Sequence, residues 1–229
     1  MASFLQRRLG RPRIWSLASG VVFSLAATWP LSLRGGALYW GDVLLYFLPM
    51  YEYIRNELLQ GRLPLWNPYV LGGQPLIGNP QCALFYPTIA ALPMTNVNRF
   101  IALSAVFHTW LAWAGTYRYL RLLRLGRMSS ILGACTFAGS SAFLARLQFP
   151  TMIQAMAWLP WILWAARRVA AKPDVGRALG LALVIALAIL AAHPQMAYVA
   201  LILSIATALA HVYRKTAPRA YKLRVAVAI

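Results

Sequence analysis

The 229-residue chain carries four carboxylates against 22 lysines and arginines. Three of them, Asp42, Glu52 and Glu57, fall within residues 34–98, while Asp174 sits in a short turn where an aspartate commonly starts a helix. A lone acid in so basic a chain is suited to accepting a proton from a reacting group, which it does best with a pKa near the ambient pH. Asp42, directly after Gly41, is the candidate base; its competing role is to cap the helix that follows. Glu52 and Glu57 stand five residues apart and do not share a helix face closely. Glu52 is placed to support Asp42 or a metal, or to bind substrate, and Glu57 to face solvent.

The remaining polar candidates are amides, aromatics and isolated cations. Trp66, Asn67, Gln74, Asn79 and Gln81 lie on backbone fixed by Pro64, Pro68, Pro75, Pro80 and Pro87. Such groups on a rigid, turn-rich coil suit contacts to sugar and phosphate, and equally suit docking a loop on helix ends. Arg146 stands alone among apolar residues, positioned either for a phosphate or for lipid head groups. His193 and Gln195 flank Pro194 in a turn and could bind phosphate or sugar, or simply shape that turn. His108, deep in an apolar run, reads as a neutral imidazole bonding between elements. Cys82 and Cys135 lie on segments that need not meet, so neither a disulfide nor a zinc site is expected.

The elements that hold these residues are set by composition. The chain is 61% hydrophobic and 11% charged, with a mean hydropathy of +0.61. Soluble domains are about 45–50% apolar and about 25% charged, so a water-soluble globule is excluded. The net charge of +18 resembles that of a nucleic-acid binder, but the basic residues come in short clusters between apolar runs. A nucleic-acid partner is therefore not expected.

A crossing helix needs about 20 mostly apolar residues. Candidate runs are 14–33, 100–120, 129–147, 152–170, 179–192 and 196–213, with Val225–Ile229 opening another. The expectation is an all-α, polytopic transmembrane helix bundle of about six spans plus the start of a seventh. The ending suggests an N-terminal piece of a longer protein. With the N-terminus inside, the clusters at Arg7–Arg13, Arg118–Arg127, Arg167–Arg177 and Arg214–Arg224 all face the cytoplasm. Only Arg34, Arg55, Arg62, Arg99 and Arg146 remain outside, as the positive-inside rule requires. The organisation is thus a basic cytoplasmic N-terminus (1–13), a first membrane helix (14–33), an external loop with an amphipathic helix (34–98), and further helices (99–229). Thr28-Trp29-Pro30 is a poor cleavage site, so the first helix reads as an uncleaved anchor in the cytoplasmic membrane.

Gly41-Asp42, Gly61-Arg-Leu-Pro-Leu-Trp-Asn-Pro68, Gly72-Gly-Gln-Pro-Leu76, Asn79-Pro-Gln81 and Tyr86-Pro87 together resemble the YfhO-like family of bacterial multi-pass membrane proteins. Gln148-Phe-Pro150, Ala157-Trp-Leu-Pro160 and His193-Pro-Gln195 extend the resemblance, adding Gln148 to the binding candidates. That family is similar in layout to the GT-C class of lipid-linked-sugar transferases. The resemblance implies a GT-C-like bundle and an inverting sugar transfer from a polyprenyl-phosphate donor to an envelope polymer or lipid acceptor. Asp42 would be the base in that reaction. Many related transferases have a second acid beside the first; none stands beside Asp42, which argues against a divalent metal and for no cofactor. The alternatives are a transporter or lipid flippase, although only His108 is deep among the ionisable groups, and a non-catalytic envelope scaffold.

Overall fold

A computed structural model describes residues 14–38 and 40–216. The basic N-terminus expected over 1–13, the cations Arg219, Lys222 and Arg224, and the expected further span at Val225–Ile229 lie outside the described residues. The chain is all-α. Its helices are α1 (Ile14–Ala27), α2 (Trp29–Ser32), α3 (Leu48–Leu59), α4 (Val97–Leu122), α5 (Arg127–Ala138), α6 (Ser141–Leu144), α7 (Pro150–Ala171), α8 (Val175–Leu190) and α9 (Pro194–Thr216). Their starts follow local chemistry. Asn96 and Asp174 accept hydrogen bonds from the N–H groups of Arg99 and Arg177 at 2.8 and 2.9 Å. Pro150 and Pro194 open α7 and α9, where a missing N–H costs nothing.

The expected bundle of six or seven membrane spans is not what the structure contains. Among the described residues one helix, Pro194–Tyr213 within α9, is both long and apolar enough to cross a membrane. Only 17% of its most apolar stretch is buried against the rest of the chain, so its apolar surface faces outward. The other expected spans fail for identifiable reasons. The first breaks at Thr28-Trp29-Pro30, leaving α1 with 14 residues. The third breaks at Gly139-Ser140, because Ser140 accepts from the N–H of Phe143 and starts a new turn, leaving α5 with 12 residues. Val175–Leu190 is apolar but short. Helices α4 and α7 are long, at 26 and 22 residues. Their interior Ser104, His108, Thr109 and Thr116, and Gln154, Trp158 and Pro160, lower their apolarity below that of a membrane-crossing segment.

Those polar side chains are turned inward instead. Helices α4 and α7 run parallel: Gln154 reaches Ser104, the Trp161 indole donates to the Leu111 carbonyl at 2.9 Å, and Arg118 lies over the Trp164 ring. Gly115 makes the crossing possible, since a Cβ there would lie 2.6 Å from the Trp161 ring. Trp113, fully buried, stacks on Tyr117 with centroids 5.3 Å apart and fills the core with Phe143, Ile153 and alanines of α4, α5 and α7.

Residues 34–98 cover the end of the bundle where α4 and α7 begin. A five-residue π-helical turn, Val43–Phe47, leads into α3. The apolar stripe Phe47, Met50, Tyr51 and Ile54 is buried against Leu76, Cys82, Leu84, Leu92, Val97 and Phe100, so it serves the protein core. The helix closes at Gly61, where φ is +71°. Beyond it, Trp66–Asn67 pairs antiparallel with Gln74–Pro75 in a minimal hairpin, with Trp66 opposite Pro75 and Asn67 opposite Gln74. Two 3-10 turns, Pro80–Cys82 and Pro87–Met94, carry the chain to α4.

Candidate functional site

The acids separate cleanly. Glu52 lies 3.7 Å from Arg55, Asp174 lies 3.1 Å from Arg177, and Glu57 takes two hydrogen bonds from Arg62 at 2.9 and 2.8 Å. That fork holds the Glu57 carboxyl below the usual carboxylate range. Among the described residues Asp42 has no ion pair, and it makes no capping bond to the turn it precedes. It is exposed at the start of the π-helical turn. Such turns recur at functional sites because the extra residue re-aims side chains.

Four residues further along that turn, Tyr46 enters a cavity of about 450 Å³ lined by Val70, Leu71, Gln74, Pro75, Gly78 and Asn79. Asp42 opens that turn and is not among the residues that line the cavity. Asn79 holds the wall together. Its Nδ2 donates to the Tyr46 hydroxyl at 2.6 Å, and its Oδ1 accepts from the Gln81 N–H at 3.0 Å. The hairpin supplies the other wall, closed by three left-handed residues in succession: Leu71 at φ +54°, Gly72 at +74° and Gly73 at +109°. A left-handed leucine, 90% exposed at the cavity, is backbone strain of the kind that collects at binding sites. Trp66 lies against Gly73, where a Cβ would sit 2.7 Å from its ring, and its carbonyl accepts from the Tyr53 hydroxyl at 2.6 Å.

Asn67 is buried and its Oδ1 accepts from the Tyr69 N–H at 3.0 Å, which makes it a turn-forming residue. Gln81 is exposed and contributes its backbone N–H to the Asn79 cap. The cavity therefore gathers Tyr46, Gln74 and Asn79, with Trp66 against Gly73 beside it and Asp42 at the start of the turn that carries Tyr46. This is a phenol and two amides beside Val70, Leu71 and Pro75, a set able to hold hydroxyl-rich groups.

A second group lies at the start of α7 and the α8–α9 turn. Arg146 donates from Nη1 to the Met152 sulfur at 3.2 Å, and Gln148 is half-buried without a hydrogen bond. His193 has its Nε2 buried with no partner. Burial first, and the Arg146 charge second, hold its pKa below the usual 6.5. Gln195 is exposed on the first turn of α9.

A buried polar chain centres on His108, which bonds between elements as its place in an apolar run suggested, while its partners Tyr86 and Trp158 gave no signal in the sequence. His108 donates from Nδ1 to the Ser104 carbonyl at 2.7 Å, which leaves Nε2 to accept from the Tyr86 hydroxyl at 2.9 Å. The Trp158 indole donates to that same hydroxyl at 2.9 Å. Burial pushes the Tyr86 phenol up to about 12, against the pull of the Trp158 bond. This chain ties residues 34–98 to α4 and α7; its one sequence signal is the His108 within an apolar run. Among the described residues no cluster of three or more His, Cys, Asp or Glu side chains could hold a metal ion.

No family model matches the chain, and no curated protein or solved structure matches it. What the site does must be argued from its own residues.

Proposed function

We propose that the protein is an inverting glycosyltransferase of the cytoplasmic membrane, moving a sugar from a polyprenyl-phosphate donor to an envelope polymer or lipid acceptor. The single observation behind this reading is that Asp42, alone among the four acids, has no ion pair among the described residues and opens the turn that carries Tyr46 to the amide-lined cavity. In the reaction the acceptor oxygen bonds to the anomeric carbon from the face opposite the phosphate. The carbon–oxygen bond to the lipid phosphate breaks, and its electron pair leaves with the phosphate. The acceptor proton passes to Asp42. Gln74, Asn79 and Tyr46 orient the sugar hydroxyls.

The motif resemblance to the YfhO-like family supports the same reading. The chain crosses the membrane more than once in this proposal, with its N-terminus cytoplasmic and residues 34–98 outside. The test is transfer of labelled sugar from a polyprenyl-phosphate donor by the purified full-length protein. Transfer that falls about 10²–10⁴-fold in Asp42→Asn is the expected result. Substrate counterflow in proteoliposomes without any transfer would overturn the enzyme reading in favour of a transporter.

A further inference from the structure

A larger cavity, about 630 Å³, lies between the α1–α2 corner and the start of α4, and shares no residue with the hairpin cavity. Its volume is within the roughly 300–1,000 Å³ typical of ligand sites. The lining is graded along α4. Asn96, Asn98 and Arg99 stand at the mouth beside Gly35 and Gly36, while Leu103 and Val106 line the floor. At about 1.5 Å per residue, Val106 lies roughly 10 Å deeper than Arg99. From the other wall Leu25 and Leu31 complete an apolar floor. That floor continues outward as exposed apolar surface at Val22, Leu103 and Phe107.

Arg99 is the decisive residue. It is exposed, its guanidinium makes no ion pair or hydrogen bond among the described residues, and three of the four acids are already paired elsewhere. A second cation, Arg34, sits 4.4 Å over the Trp29 ring beside Gly35. A site with cations and amides at the mouth and hydrocarbon below complements an anionic head on an apolar chain. The outward apolar surface of α9 fits a lipid surrounding, where phospholipids supply anionic heads on apolar chains. We propose that this groove holds an anionic phospholipid of the bilayer, its phosphate on Arg99 and one acyl chain on Leu25, Leu31, Leu103 and Val106.

The inference stands apart from the sugar-transfer reading: a protein that retains the lipid but transfers no sugar contradicts only the latter. The full-length protein is reconstituted in nanodiscs of mixed phosphatidylcholine and phosphatidylglycerol, and the lipid retained on release is identified by native mass spectrometry. Phosphatidylglycerol should be retained over phosphatidylcholine. Arg99→Gln should cut that retention about tenfold, the loss of roughly one charge-assisted contact, and Arg99→Lys should restore most of it. Leu103→Trp, which fills the floor without touching the charge, should also reduce it. Equal retention of the two lipids, unchanged retention in both Arg99→Gln and Leu103→Trp, or release by inorganic phosphate would each overturn the proposal.

Discussion

At the scale of single residues, what distinguishes the candidate site is which polar groups are already committed. Asn67 is spent on its own turn and Glu57 on Arg62, whereas Gln74 reaches the cavity and Asp42 stays unpaired. Gly73 tests how finely the hairpin wall is set. At φ +109° and with Trp66 against it, Gly73→Ala should destabilise residues 66–75 by about 1–3 kcal/mol. Faster amide exchange confined to that hairpin is the expected sign; unchanged exchange would show that the turn is not strained. His193 gives a pH prediction. Its folded pKa lies below 6.5, so its contribution to stability is present above that value and is lost as pH falls through the folded pKa. Melting temperature should therefore drop more steeply below about pH 6.5 in the wild type than in His193→Gln; parallel curves would remove His193 as the source. Residue types marked the candidates, because isolated acids and amides on proline-fixed backbone are visible in sequence. Which of them were free was not visible, because that depends on partners up to 33 residues away, as for Asn79 and Tyr46.

At the scale of elements, an amphipathic helix within residues 34–98 was legible from the sequence, and the structure places it at Leu48–Leu59, closed by Gly61. The segment that follows α3 was legible only as turn-rich coil. The clamp that fixes it, Trp158 to Tyr86 to His108, joins three elements far apart in sequence and leaves no periodic trace. Tyr86→Phe tests that clamp. It strands the buried His108 acceptor and the Trp158 donor, at a cost of about 1–3 kcal/mol for the stranded groups. A lower melting temperature with faster proteolysis within residues 34–98 is expected. A variant as stable as the wild type, cut no faster, would show that the clamp does not hold the segment. The long apolar runs misled for a related reason. Hydropathy sees Ser129–Leu147 as one stretch, but Gly139-Ser140 ends one helix and caps another.

For the molecule as a whole, the outward apolar surface of α9 has no covering element among the described residues, with Tyr198, Ile205 and Leu209 all more than half exposed. That area in water invites association, so the protein should stay with the membrane through an alkaline wash; release into the supernatant would contradict the assignment of α9 to lipid. Charge is distributed just as unevenly. A chain of net charge +18 pairs three of its four acids with neighbouring arginines, and Asp42 has no ion pair among the described residues. The most direct measurement of the central claim compares sugar transfer by the full-length protein carrying Asp42→Asn, Glu52→Gln, Glu57→Gln or Asp174→Asn, each checked for wild-type melting. Loss of about 10²–10⁴-fold in the Asp42 variant alone is the predicted result; transfer at the wild-type rate by Asp42→Asn would contradict it.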